Sequence, residues 1–281
     1  MSDFLSKIIE RKRQEVKEGQ KCVPESFLRR EAEKSSGRRG FADRLAMRGP
    51  HGMNIIAEVK RASPSKGKIR DDVDPARFAR MYEAGGAAAV SVLTDRDYFC
   101  GSAEDLQKVR AASAIPALRK DFIISTYQVY ESAVMGADAI LLIVRALSPE
   151  LLRELLSLSS DIGLDALVET HDEQEFDIAA KAGARVIGVN NRDLSTFQTD
   201  ISTSIRIAGK AAPGQVLVAE SGIHTRADIE RLLEAGIGNF LIGESLMRSE
   251  DPVGLLAALH GAGSKTIPPQ SPVVDGAWRE C

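Results

Sequence analysis

Lysines and glutamates stand where short apolar runs of this chain end. Ile55, Ile56, Ala57 and Val59 form one such run, and Glu58 and Lys60 lie at its close. Strand residues alternate faces, so these two charges point the same way. Opposite charges at the end of an apolar strand are costly to bury unless paired or used. Alone, the pair reads equally well as a structural salt bridge, but the pattern recurs. Lys120 closes a run at 116–120, Glu169 one at 164–169, and Glu220 one at 215–220. Asn190 closes another at 185–190, with Arg192 just after it. Ammonium groups donate protons or stabilise oxyanions, and carboxylates beside them accept protons, so a converging set of this kind performs acid–base chemistry. Each member also has a plain reading: Lys120 as a salt bridge to Asp121, Glu169 as a solvated strand exit, Asn190 as a turn residue, and Arg192 as a brace for Asp193. Arg145 completes no site and is read as structural.

A second chemistry is suggested by small residues. Ser221-Gly222 and Gly243-Glu244-Ser245 follow two late strands and open helices, where backbone N–H groups receive phosphate. Ser63, in a loop with Lys66 and Lys68 nearby, adds a hydroxyl at an anion site. Ordinary left-handed turns are the alternative reading for the glycines.

Such residues need a frame that brings strand ends together. Apolar strands are expected at 54–59, 88–93, 116–120, 138–143, 164–169, 185–190, 215–220 and 239–242. Helical patterns fall at 75–84, 102–112, 126–135, 148–160, 172–181, 200–210, 225–235 and 252–261. Asp74-Pro75, Ser148-Pro149-Glu150 and Thr225 are helix-start signals, and Gly136, Gly183 and Gly236 mark helix-to-strand turns. Strand–helix alternation implies parallel strands with right-handed crossovers, and eight units imply a single closed (β/α)8 TIM barrel at 51–262. An open doubly wound sheet is the runner-up, without a G-x-G-x-x-G after the first strand to favour it. Residues 1–50 read as a helical extension on the barrel: Phe4, Leu5, Ile8, Ile9 and Val16 make a narrow apolar stripe, and Arg11 to Arg13 a solvated basic face. Residues 263–281, Pro-rich and carrying Trp278, read as a mobile tail.

Composition narrows the classes. In 281 residues, a 43% hydrophobic share supplies a core without any run long enough to span a membrane. The N-terminus is amphipathic and charged, unlike a signal peptide. Cys22, Cys100 and Cys281 are too scattered for a disulfide framework or zinc site, which places the chain in the cytoplasm. His51, His171, His224 and His260 show no metal-binding spacing, and a net charge of −3 argues against nucleic-acid binding.

The segments I-A-E-V-K-R-A-S-P-S-K-G, L-R-K-D-F-I-I, L-V-E-T-H, I-G-V-N-N-R-D-L, V-A-E-S-G-I and L-I-G-E-S-L-M closely resemble the indole-3-glycerol-phosphate synthase family. So does S-V-L-T-D with Y-F-C-G-S, and the likeness runs from the N-terminal helix to about residue 260. The resemblance implies a tryptophan-biosynthesis lyase without cofactor or metal. Its substrate would be 1-(2-carboxyphenylamino)-1-deoxyribulose 5-phosphate, and its products indole-3-glycerol phosphate, carbon dioxide and water. By that likeness Lys120 is the general acid, Glu169 the acid/base glutamate, and Lys60 the partner of the substrate carboxylate, with Glu58 as its base. Asn190 and Glu220 bind hydroxyls and place the lysines; Phe99 and Phe122 wall the aromatic ring, and Arg192 joins the substrate site. Ser63, Ser221, Gly222, Gly243, Glu244 and Ser245 fall at the phosphate end, Glu244 through its backbone N–H because family members differ there. A small phosphorylated substrate, no nucleic acid, no membrane and a monomer are expected. A Schiff-base aldolase using Lys120 or Lys60, and a barrel that only binds a phosphosugar or a partner protein, are the rivals.

Overall fold

A computed structural model of the chain describes residues 3–49, 51–64, 67–193 and 196–261. Lys66 and the 263–281 tail with Trp278 lie outside the described residues.

Eight parallel strands close into a barrel in sequence order. They are β1 (Asn54–Val59), β2 (Ala89–Leu93), β3 (Ala117–Lys120), β4 (Ala139–Ile143), β5 (Asp165–Thr170), β6 (Val186–Asn190), β7 (Val216–Glu220) and β8 (Asn239–Ile242). Closure is made by β1, which pairs with β8 through Asn54 and Asn239 and with β2 through Glu58 and Ser91. Most of these strands are buried along their whole length, as expected for parallel strands covered on both sides. The register sets Leu93 beside Lys120 and Asn190 beside Glu220, so the charged strand ends lie at one rim.

The helices between them are α4 (Pro75–Ala84), α5 (Ala103–Ala112), α6 (Thr126–Met135), α7 (Pro149–Asp161), α8 (Glu173–Lys181), α9 (Ser202–Ala208) and α10 (Arg226–Glu234). The short α11 (Glu244–Arg248) and α12 (Pro252–His260) follow β8. Their starts are capped as the sequence foretells. Asp74 accepts from the N–H groups of Ala76 and Arg77, Ser148 from Leu151, and Thr225 forms a reciprocal capping box with Asp228. The turn at Gly136 needs a left-handed residue (φ +87°), which glycine adopts without a Cβ penalty.

Three helices precede the barrel: α1 (Asp3–Cys22), α2 (Glu25–Lys34) and α3 (Phe41–Ala46). α1 lies over the C-terminal rim, α2 packs on α6, and α3 seals the opposite end. Phe41, Ala42 and Leu45 join Ile56, Leu118, Leu167 and Val218 in the core inside the barrel, whereas a larger core fills the space between strands and outer helices. Arg38 and Arg39 fasten the connecting loop by donating to the carbonyls of Ile162, Ala137 and Ile115. One expectation fails here. The basic cluster is not a solvated face: Lys12 is buried against Asp95 (2.7 Å) and Asp121 (3.0 Å), and Arg11 pairs with Asp97. Only Arg13 behaves as expected, exposed beside Glu10. Among the described residues no helix is long and apolar enough to cross a membrane.

Candidate active site

One cavity at the C-terminal rim is lined by all fifteen residues singled out in the sequence, from Glu58 on β1 to Ser245 on α11. Lys60, Lys120 and Glu169, far apart in the chain, share it.

Its floor is a cluster of charges. Lys120 Nζ lies 3.0 Å from Glu169 Oε2 and 3.6 Å from Glu220 Oε2. Burial opposes the Lys120 charge, but the carboxylates of Glu169, Glu220 and Glu58 reverse that effect and raise its pKa above the usual lysine value. Glu169 is likewise buried, yet Lys120, His171 and a hydrogen bond from Asn190 lower it below the ordinary carboxylate range. Glu220 goes the other way. Burial, with repulsion from Glu169 and Glu58, outweighs Lys120 and raises it to about 8. At neutral pH the pair therefore holds one proton, on Glu220, in hydrogen-bonding contact with ionised Glu169. Lys60 Nζ meets Glu58 Oε1 at 2.7 Å, and Ser91 donates to the other oxygen of Glu58. Despite burial, Lys60 and Lys120 keep the Glu58 pKa low.

Two glycines make room for these carboxylates. A Cβ at Gly188 would sit 2.1 Å from Glu220 Oε1, and one at Gly243 would sit 2.5 Å from Glu58 Oε1. At Gly243 the backbone is not left-handed (φ −122°), so close approach, not turn geometry, is what requires glycine there. Ser221 and Gly222 do adopt consecutive positive φ values, +64° and +74°, which turns two successive backbone N–H groups the same way at the end of β7. Glu244 and Ser245 open α11 across from them. Ser63 sits in a two-residue strand paired with Gly67–Lys68.

The cavity walls are apolar. The Phe99 and Phe122 rings lie 6.1 Å apart, and Phe4, Leu5 and Ile8 of α1 face the same space. Arg192 borders it as well. Its Nη1 donates to the Phe197 carbonyl, and its backbone N–H donates to Asn190 Oδ1. Burial lowers the Arg192 pKa, against the attraction of Glu244 and Glu58. Arg145 is structural, as read: it bonds Glu175 at 2.6 Å. Asp121 is occupied by Lys12, Arg119 and Thr94 rather than by Lys120, so the plain salt-bridge reading of Lys120 with its neighbour does not hold.

Several residues escaped the sequence reading. The α1 stripe was visible, but not that it roofs the cavity. Asn191 is buried and donates to the carbonyls of Glu220 and Ser221 while accepting from Ser204, tying β6 to β7. Its place beside Asn190 was the only signal. His171 stands behind Glu169, with Nε2 3.4 Å from Glu169 Oε1.

The family model described as indole-3-glycerol phosphate synthase matches residues 5–259. A protein of Syntrophobacter fumaroxidans named indole-3-glycerol phosphate synthase is 58% identical over 262 residues, covering 93% of this chain and 99% of its own. One of the same name from Desulfosudis oleivorans is 53% identical, covering 92% of this chain and 99% of its own. Among solved structures, a thiamine phosphate pyrophosphorylase from Pyrococcus furiosus superposes with a TM-score of 0.57 at 13% identity, over 75% of this chain and 95% of its own. At that identity the likeness concerns the barrel fold alone. The family match and the two relatives extend over nearly the whole chain, floor, walls and phosphate end included, and the chain belongs to the indole-3-glycerol phosphate synthase family.

Proposed function

We propose that the rim closes, decarboxylates and dehydrates 1-(2-carboxyphenylamino)-1-deoxyribulose 5-phosphate to indole-3-glycerol phosphate, the lyase step of tryptophan biosynthesis for which the family is named. The observation that carries this reading is the Lys120 ammonium held between Glu169 and Glu220 on the cavity floor. The phosphate binds at Ser221-Gly222, Gly243-Glu244-Ser245 and Ser63, which places the ribulose carbonyl toward the floor. Phe99 and Phe122 hold the aromatic ring, and Arg192 borders the substrate.

Attack of the ring carbon on the carbonyl puts negative charge on its oxygen, and Lys120 protonates that oxygen as general acid. Glu169 stabilises the resulting cationic ring until carbon dioxide leaves with its bonding electrons returned to the ring. Lys60 neutralises the substrate carboxylate and then serves dehydration, in which the hydroxyl leaves as water, with Glu58 as the base. Asn190 and Glu220 bind hydroxyls and place the lysines.

A Schiff-base aldolase needs a neutral lysine in an apolar pocket, and the carboxylates around Lys120 favour its charged form. Purified protein given the carboxyphenylamino-ribulose phosphate is expected to produce indole fluorescence. Its absence, or a borohydride-trapped adduct at Lys120, overturns the reading. A monomer acting in the cytoplasm on a small phosphorylated molecule, without cofactor, metal, nucleic acid or membrane, completes the proposal.

A further inference from the structure

We propose that His171, behind the cavity wall, is a positioning residue that holds Glu169 and receives its proton between chemical steps. The inference rests on the acid–base role given to Glu169 above.

His171 follows β5 directly and is buried, with a side chain 4% exposed. Its surroundings determine which ring nitrogen carries hydrogen. Glu175 Oε2, on α8, accepts from the His171 backbone N–H at 2.9 Å and lies 3.1 Å from ring Nδ1. Arg145 donates to the other Glu175 oxygen at 2.6 Å and also reaches Asp172, the residue that caps α8. An ionised carboxylate only accepts hydrogen bonds, so the proton at this end belongs on Nδ1. Nε2 of the neutral ring then turns a lone pair toward Glu169 Oε1, 3.4 Å away. Two acceptors face each other there, and Nε2 has no hydrogen-bond partner although it is fully buried. One proton between them satisfies both.

The opposite oxygen of Glu169 meets Lys120, and Asn190 and Glu220 complete its surroundings. When Glu169 removes a proton from the substrate, an O–H bond forms on its carboxyl group. Passing that proton on breaks the O–H bond and forms Nε2–H, which leaves carboxylate Glu169 and an imidazolium balanced by Glu175. Return of the proton reverses the step, and no other reactant is needed. A histidine oriented through its second nitrogen by a carboxylate is an established way to fix tautomer and basicity.

The direct test is ¹⁵N NMR of the His171 ring in the full-length protein. Nδ1 is expected to stay protonated at every pH while Nε2 gains and loses its proton. In Glu169→Gln that titration is expected to move down by about one pH unit or more, because the facing negative charge is gone. A neutral ring protonated on Nε2, or a titration unmoved by Glu169→Gln, overturns the proposal. Kinetics supply a second measurement: His171→Gln is expected to lower kcat about tenfold and alter the pH profile of kcat, with KM nearly unchanged. Equal losses in kcat and kcat/KM with a wild-type profile would mark a merely structural residue and also count against it. Wild-type protein that makes no indole product contradicts the functional reading instead, and leaves the ring titration to be judged by itself.

Discussion

Lys12 and Asp121 form a buried ion pair, Nζ to Oδ1 3.0 Å, that ties the first helix to the residue after Lys120. The same carboxylate accepts the Phe122 N–H and the Thr94 hydroxyl, so one lysine on α1 holds both a cavity wall and the loop after β2. Removing the charge leaves Asp95 and Asp121 buried without it. Breaking a buried pair from one side costs about 3–5 kcal/mol, so Lys12→Met is expected to lower stability by that order in urea unfolding. A loss below about 1 kcal/mol, the range of surface pairs, would show that the network tolerates the missing ammonium.

Lys120→Ala is expected to abolish turnover while leaving substrate affinity within about tenfold, since the ammonium acts on charge that appears in the transition state. Stopped-flow turnover and equilibrium binding separate the two. Comparable losses in both would move Lys120 from chemistry to binding.

Gly188→Ala places a methyl group where Glu220 Oε1 now lies. The carboxylate has to turn away, and Lys120 loses one of its holders. Misplacing a reacting group by about 1 Å costs on the order of a hundredfold, so kcat is expected to fall by about that factor with the circular dichroism spectrum unchanged. Wild-type kcat would mean that Glu220 does not need its present position.

Stability is expected to depend on pH through two acids with opposite signs. Glu220 is raised to about 8, so the folded protein keeps a proton that the unfolded chain has released. That contribution is complete below the unfolded carboxylate value and is lost as pH rises toward 8, at about 1.4 kcal/mol per pH unit. Glu220→Gln is therefore expected to flatten the pH dependence of urea unfolding between about pH 5 and 8. Asp121 is lowered to about 2, where Arg119 and Lys12 outweigh its burial. Its stabilisation is present above the unfolded value and lost as pH falls toward 2. Curves for wild type and Glu220→Gln that run parallel across the window would contradict this assignment.

The barrel was legible because each of its signals is local. Strand limits such as 54–59 and 239–242 coincide with the expected ones, and the caps at Asp74, Ser148 and Thr225 form as read. Once the topology is fixed, strand ends must meet, so the gathering of Lys60, Lys120 and Glu169 follows from the fold. Contacts set by long sequence separation were not legible. Nothing in a charged helix says that Lys12 enters a buried site while Arg13, next to it, stays in water. Nor does a glycine in a strand announce that it makes room for Glu220, or a histidine after Glu169 that its ring turns back on that residue.

The N-terminal segment touches both ends of a barrel that is not yet made when it leaves the ribosome. Ala42 bonds to Asp165, 123 positions later, so α3 has no seat until more than half of the polypeptide exists. Until then Phe41 and the apolar stripe of α1 lack a surface to bury against, and contacts of such separation form late. The first residues synthesised are thus among the last to settle, and the newborn chain depends on its own downstream half to hide them.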